Sequence, residues 1–146
     1  HVIEQHFVAS DDGTRVPYFL VRPKNLAFDG TAPTLLYGYG GFEVSLTPAY
    51  SGMVGKGWLE PSADSAGGVY AVANIRGGGE FGPAWHRAGL KENRQRIYDD
   101  FAAVSEKLIS EHVTSPAHLG IIGEAPCRNI SRIIAEEADN RQNYGP

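Results

Sequence analysis

The chain has 146 residues, 42% hydrophobic and 21% charged, with a net charge of -4, the balance of one globular domain with room for a sizeable core. Lys and Arg form no basic run, no apolar stretch approaches a membrane span, and the opening residues lack the basic start and apolar middle of a signal peptide; no nucleic-acid partner, no membrane and a cytoplasmic setting are therefore expected. The single Cys127 excludes an internal disulfide framework and a multi-cysteine zinc site, and five scattered histidines show no metal-ligand spacing, so no metal and no cofactor are expected.

Residues 2–9 alternate apolar and polar positions and run into Ser10-Asp11-Asp12-Gly13, which reads as a strand and a tight turn. Arg15 to Arg22 resumes an extended pattern, so the first two strands are expected to form a hairpin, with Pro17 pointing to an edge or a strand end. A polar loop containing Pro23, Gly30 and Pro33 leads into a third strand, Thr34 to Tyr37. That strand runs into Gly38-Tyr39-Gly40-Gly41-Phe42. A turn needs fewer glycines, and aromatic rings are costly to hold on a loop unless they fill a pocket or aim a hydroxyl; the stretch is a candidate site, the alternative being rings that roof the core.

Residues 43–60 contain Gly52, Gly55 and Gly57 and read as mostly irregular, with Pro48 offering a start for a short helix. After a loop of small residues, Val69 to Ile75 is a strand apolar enough to be buried on both faces. It ends in a second glycine loop, Arg76-Gly77-Gly78-Gly79-Glu80-Phe81-Gly82. From Glu92 to His112 the period turns helical, with Ile97, Phe101, Val104, Leu108 and Ile109 on one face. Asp99 and Asp100 within it read as a solvated face plus a structural hydrogen bond. Ser115-Pro116 stops the helix, His118 to Ile122 reads as a short buried strand, and Ile130, Ile133 and Ile134 fall at the spacing of a short surface helix before a polar end. Two antiparallel strands, then strands alternating with helical segments, predict an α/β fold: a mixed sheet with flanking helices and glycine loops at the strands' carboxyl ends, where such sheets place their sites.

Gly77 to Gly82 formally fits the G-x-G-x-x-G dinucleotide pattern. That fold requires a helix starting inside the glycines and an acid ending the next strand, whereas Asp99 and Asp100 lie inside a helix, so a structural glycine turn is preferred.

Several motifs together point elsewhere. Leu36-Tyr37-Gly38-Tyr39-Gly40-Gly41-Phe42, Val72-Ala73-Asn74-Ile75-Arg76-Gly77-Gly78-Gly79-Glu80-Phe81-Gly82, Trp85-His86, Tyr98-Asp99-Asp100-Phe101 and Thr114-Ser115-Pro116 occur in the order and spacing of the prolyl oligopeptidase family, which the chain resembles over roughly residues 5 to 123. The resemblance implies a serine peptidase (serine protease) with an α/β-hydrolase catalytic domain acting on short, proline-containing peptides. By it, Tyr39 corresponds to the tyrosine whose hydroxyl helps stabilise the tetrahedral oxyanion, and Phe42 to an aromatic wall of the pocket for the residue before the cut.

The departure is equally sharp. Where the family carries the nucleophile elbow Gly-Gly-Ser-Asn-Gly-Gly, this chain reads Gly123-Glu124-Ala125-Pro126-Cys127-Arg128. Ala125 then occupies the place of the nucleophilic serine and has no hydroxyl, and Pro126, next in line, has no backbone N–H to offer an oxyanion. Loss of resemblance at one residue reads as a frame change or a spliced foreign end. The expected organisation is residues 1–123 as the amino-terminal part of an α/β-hydrolase domain, truncated after the strand before the elbow, and residues 124–146 as a divergent tail. Without the triad's serine, acid and histidine the chain is expected to be inactive alone, a peptidase fragment, or alternatively a noncatalytic peptide-binding module. Cys127 with His86 or His118 is a conceivable substitute pair that nothing in the sequence brings together. With no further neighbour, the strand at 118–122 is expected to form an exposed sheet edge open to self-association.

Overall fold

Alternation over eight residues makes the first hairpin. In the computed structural model, which describes residues 1–123 except positions 48, 50, 64 and 65, β1 (Val2–Ala9) and β2 (Arg15–Arg22) pair antiparallel, with Val2 opposite Arg22 and Ala9 opposite Arg15. Three further strands, β3 (Thr34–Gly38), β4 (Val69–Ala73) and β5 (Leu119–Gly123), complete a sheet in the order β1-β2-β4-β3-β5. β2 is antiparallel to β4, whereas β3 is parallel to both β4 and β5. The sheet is mixed and the fold is α/β, as the sequence predicts. Pro17 does not lie on an edge strand, since β2 is interior. It is accommodated because pairing with β4 begins one residue later, at Tyr18, and only its carbonyl is used, accepting from the Asn74 amide at 2.9 Å.

Period-two registration puts Val16, Tyr18 and Leu20 of β2, Leu36 of β3, and Val69, Ala71 and Ala73 of β4 on one face, and all are buried. Across this face runs α3 (Gln95–Ser110), contributing Ile97, Phe101, Val104 and Leu108 to the same core. Truncating any of the large side chains in this layer to Ala would cost about 2–5 kcal/mol. The helix starts later than its sequence period predicts. Lys91–Asn93 forms a separate 3-10 turn, and Arg94 supplies no side-chain cap that would mark a start.

The connection from β3 to β4 covers the opposite face, as right-handed crossovers in opposite directions require. It is not wholly irregular: α1 (Gly52–Val54) leads into a π-type turn at Gly55–Leu59, whose Trp58 indole N–H donates to the Val69 carbonyl at 2.8 Å. Val21, Tyr37, Tyr70 and Val72 on this face and Val54 and Leu59 above it enclose an apolar cavity of about 450 Å³. The sequence also gives no hint of α2 (Pro83–Arg87), one short turn with Pro83 at its start.

β5 takes the outer position, with β3 its one strand partner among the described residues, and Ile122 is 45% exposed. The predicted helix start at Pro48, the surface helix around residues 130–134 and the proposed tail at 124–146 lie outside the described residues.

Candidate functional site

The two glycine loops leave neighbouring parallel strands at the same end of the sheet and pack backbone against backbone. Gly38 lies opposite both Ala73 and Gly123, so the loops after β3 and β4 begin at one level, and the chain leaves β5 beside them. Gly77, with φ of 95°, sits so close that an added Cβ would be 2.2 Å from the Gly40 carbonyl oxygen. A Cβ on Gly79 would be 2.2 Å from the Glu43 carbonyl oxygen. The glycines therefore serve loop-to-loop contact, which answers both the dinucleotide pattern and the surplus of glycine.

The first loop holds its backbone in an unusual state. Phe42 and Glu43 have φ of 49° and 56°, left-handed values that cost a residue with a Cβ about 1–2 kcal/mol each. Phe42 is consequently turned outward and 83% exposed, with its ring centroid 6.2 Å from that of the half-buried Tyr39. The ring does not roof the core.

Contacts from the second loop hold the segment that follows. The Gly79 amide donates to the Val44 carbonyl at 3.2 Å. The Leu46 amide donates to Glu80 Oε1 at 3.1 Å, and the Leu46 carbonyl accepts from Asn74 Nδ2 at 2.6 Å. His86 Nδ1 lies 2.6 Å from the Gly77 carbonyl oxygen and 3.2 Å from the Glu43 amide nitrogen. A ring nitrogen either donates or accepts, so these bonds belong to different tautomers; the shorter contact requires a proton on Nδ1, because two bare lone pairs repel at that distance.

Beneath the loops Arg76, only 3% exposed, is held from two sides. Its backbone amide and Nε donate to Asp100 Oδ2 at 3.0 and 2.9 Å, and Nη2 donates to Asp100 Oδ1 at 2.6 Å. The same guanidinium reaches Asp12 in the hairpin turn, with Nη2 to Oδ1 at 3.1 Å. Burial alone would lower the arginine's pKa, but the bonds to Asp100 and Asp12 outweigh it and leave the guanidinium more firmly protonated than usual. The bond from Arg76, aided by Thr14, holds the Asp12 carboxyl well below the usual carboxylate range. Asp100 is thus no part of a solvated face: it lies one residue before Phe101 on the buried side of α3, where only a paired carboxylate is tolerated. Its structural hydrogen bond is as expected. Asp99, beside it, accepts from Gln95 Nε2 at 3.0 Å.

Tyr39 and Phe42 lie side by side, while Ala125, Pro126 and Cys127 lie outside the described residues. His118 and Ser115, bonded to each other through Nδ1 and Oγ at 2.8 Å, precede β5 and stand at the other end of the sheet from Tyr39. His118 therefore cannot serve chemistry at the glycine loops. Among the described residues no group of three or more His, Cys, Asp or Glu could hold a metal ion, and no helix is long and apolar enough to cross a membrane. Glu80 and Asn74, which position the loops, were not singled out by sequence reasoning, and His86, named there as a conceivable base, instead contacts the loop backbone at Gly77 and Glu43; a charged residue inside a glycine run and a polar one ending an apolar strand were the available signals.

Known proteins share this architecture. The prolyl oligopeptidase family pattern matches residues 57–125. A protein of Sinorhizobium fredii described as an uncharacterized peptidase is 60% identical over 120 residues, covering 82% of this chain and 16% of its own length. A prolyl endopeptidase of Elizabethkingia meningoseptica is 44% identical over 125 residues, covering 86% of this chain and 17% of its own. Among solved structures, a post-proline cleaving enzyme from Rickettsia typhi superposes with a TM-score of 0.80 at 47% identity, covering 86% of this chain and 17% of that one. The chain thus spans about one sixth of the length of the relatives it matches. With its sheet, its paired glycine loops and these relatives in agreement, the chain belongs to the prolyl oligopeptidase family and carries part of that family's α/β-hydrolase fold.

Proposed function

We propose that the chain supplies the substrate-recognition side of a serine peptidase for short proline-containing peptides, and that, with Ala125 at the nucleophile's place, its 146 residues bind such peptides without cleaving them. The parent reaction is acyl transfer from the peptide to a serine hydroxyl and then to water, with no cofactor. Tyr39 donates its phenolic hydrogen to the oxyanion of the tetrahedral intermediate, a contribution on the order of a hundredfold in rate for a preorganised donor. Phe42 forms a wall for the proline ring.

Phe42 carries this reading. Its ring is 83% exposed and held on a left-handed backbone beside Tyr39, at the carboxyl end of β3. Core packing gives no reason to hold an aromatic ring that way, whereas an apolar cyclic side chain of a substrate does.

Two measurements test the reading. A fluorophosphonate probe should leave the chain unlabelled; specific labelling of a serine would overturn the claim that it does not cleave. Calorimetric titration with a proline-containing peptide should show binding that Phe42→Ala removes, and absence of binding by the unmodified chain would overturn recognition. Binding without labelling also describes a noncatalytic module.

The composition supports a cytoplasmic protein without nucleic-acid or membrane partners. The outer position of β5 supports self-association by strand pairing, which a concentration series in sedimentation velocity would reveal as a rising mass and a constant monomer mass would refute.

A further inference from the structure

We infer that Glu80 and Asn74 form a latch that sets where the Phe42 ring stands, making Glu80 a specificity-determining positioning residue; the inference rests on the assignment of Phe42 to the proline pocket. The segment from Phe42 to Leu46 belongs to no helix or strand and opens with two left-handed residues, so its own backbone does not favour the path it takes. Beyond the bond from the Gly79 amide to the Val44 carbonyl, the path is anchored at Leu46, whose amide and carbonyl are bonded by the side chains of Glu80 and Asn74. Asn74 Nδ2 also donates to Glu80 Oε1 at 3.2 Å, closing a three-residue network. Two acceptors on one nitrogen fix the orientation of the Asn74 amide.

That network is arranged at some expense to its own members. Asn74 Oδ1 and Glu80 Oε2 are both buried without a hydrogen-bond partner. The carboxylate folds back over Gly78, where an added Cβ would lie 2.2 Å from Oε2. A glutamate on a surface loop would ordinarily solvate both oxygens. Here one oxygen is given over to Leu46 and Asn74, four and six residues from where the two loops carry Phe42 and Glu80 respectively. Because Leu46 is only four residues beyond Phe42, releasing it loosens the segment that carries the ring while leaving the α3 core untouched.

The test uses the 146-residue chain with Glu80→Ala and Glu80→Gln. Amide hydrogen exchange reads the latch directly, and titration with N-acetyl-Gly-Pro amide and N-acetyl-Gly-Ala amide reads selectivity. In Glu80→Ala, Leu46 exchange should rise and preference for proline over alanine should fall, each by about tenfold, with α3 amides unchanged. Glu80→Gln retains an acceptor oxygen and should stay within about threefold of the unmodified chain on both readouts. Unprotected Leu46 in the unmodified chain overturns the latch, as does a Glu80→Ala variant that keeps both protection and preference, or a Glu80→Gln variant as damaged as Ala. Should Glu80→Ala fail to fold, Leu46 protection in the unmodified chain and the Gln variant still decide. If the unmodified chain binds neither peptide, the proline-pocket reading fails, while Leu46 exchange judges the latch alone.

Discussion

Asp100 accepts from both the guanidinium and the backbone amide of Arg76, so one carboxylate fixes the direction in which the chain leaves β4 and enters the second glycine loop. Asp100→Ala would leave a buried guanidinium with Asp12 as its one charged partner, beside the hydroxyls of Thr14 and Ser10. The expected loss is about 3–5 kcal/mol, measured as a lower urea midpoint. A double variant, Arg76→Met with Asp100→Leu, removes both charges and should be less damaged; equal damage would show that shape rather than charge pairing governs the position.

Acid should weaken the same cluster through Asp12. Its folded pKa lies below the unfolded one, held down first by the bond from Arg76 and then by Thr14. The unfolded chain therefore takes up a proton more readily, and the stabilisation is fully present above about pH 4 and lost as pH falls below it. Asp12→Asn should flatten that part of the stability profile relative to the unmodified chain. Asp12 is 40% exposed, so the difference should shrink in high salt.

Tyr18 gives the opposite sign. Burial first, then the carboxylates of Glu111 and Glu4, push its phenol up to about 12, and its hydroxyl has no hydrogen-bond partner. A raised folded pKa means stability is intact below the unfolded value near 10 and falls as pH rises through the folded one. Tyr18→Phe removes an unsatisfied buried hydroxyl and should stabilise the chain by about 1 kcal/mol at neutral pH, while abolishing this alkaline loss. Thermal melts at pH 7 and in the alkaline range check both halves.

Two glycines should respond differently to alanine. Gly79→Ala drives a methyl against the Glu43 carbonyl, separates the loops, and is expected to cost about 1–3 kcal/mol together with peptide binding. Gly52 has nothing within 4 Å of a built Cβ and starts α1, so Gly52→Ala should be neutral or stabilise by up to about 1 kcal/mol. Denaturant midpoints for the pair would contradict this if the order were reversed.

The hairpin and α3 were legible in the sequence because one periodic signal acts over eight residues of each strand and sixteen of the helix. Asp100 was within reach of the same reasoning: three residues past Ile97 and one before Phe101, it shares their buried face and so demands a partner. Its general preference for water outweighed that inference. Glu80 stood out as a charge inside a glycine run, but its partner was beyond reach, because the bond to Leu46 spans 34 positions and ends in a segment with no periodicity. The glycine loops were found by composition, the first read as a candidate site and the second as a structural turn; that each loop's carbonyls or glycines would be the other's close neighbours, as Gly77 is to Gly40 and Gly79 to Glu43, was not in the pattern. Tyr39 and Phe42 came from resemblance to a family, and the outward pose of Phe42 came only from coordinates.

β4 lies between β2 and β3 although it follows both in the chain. On a ribosome, β3 therefore emerges without either of its neighbours, and waits while residues 39–68 are synthesised before β4 can join it. At ordinary translation rates of about 5–20 residues per second that interval is roughly 1.5 to 6 seconds. During it, Leu35, Leu36 and Tyr37 are an unpaired apolar strand on a nascent chain. Any holding chaperone that protects this protein during synthesis should engage it there, and should let go once Ala73 has cleared the exit tunnel.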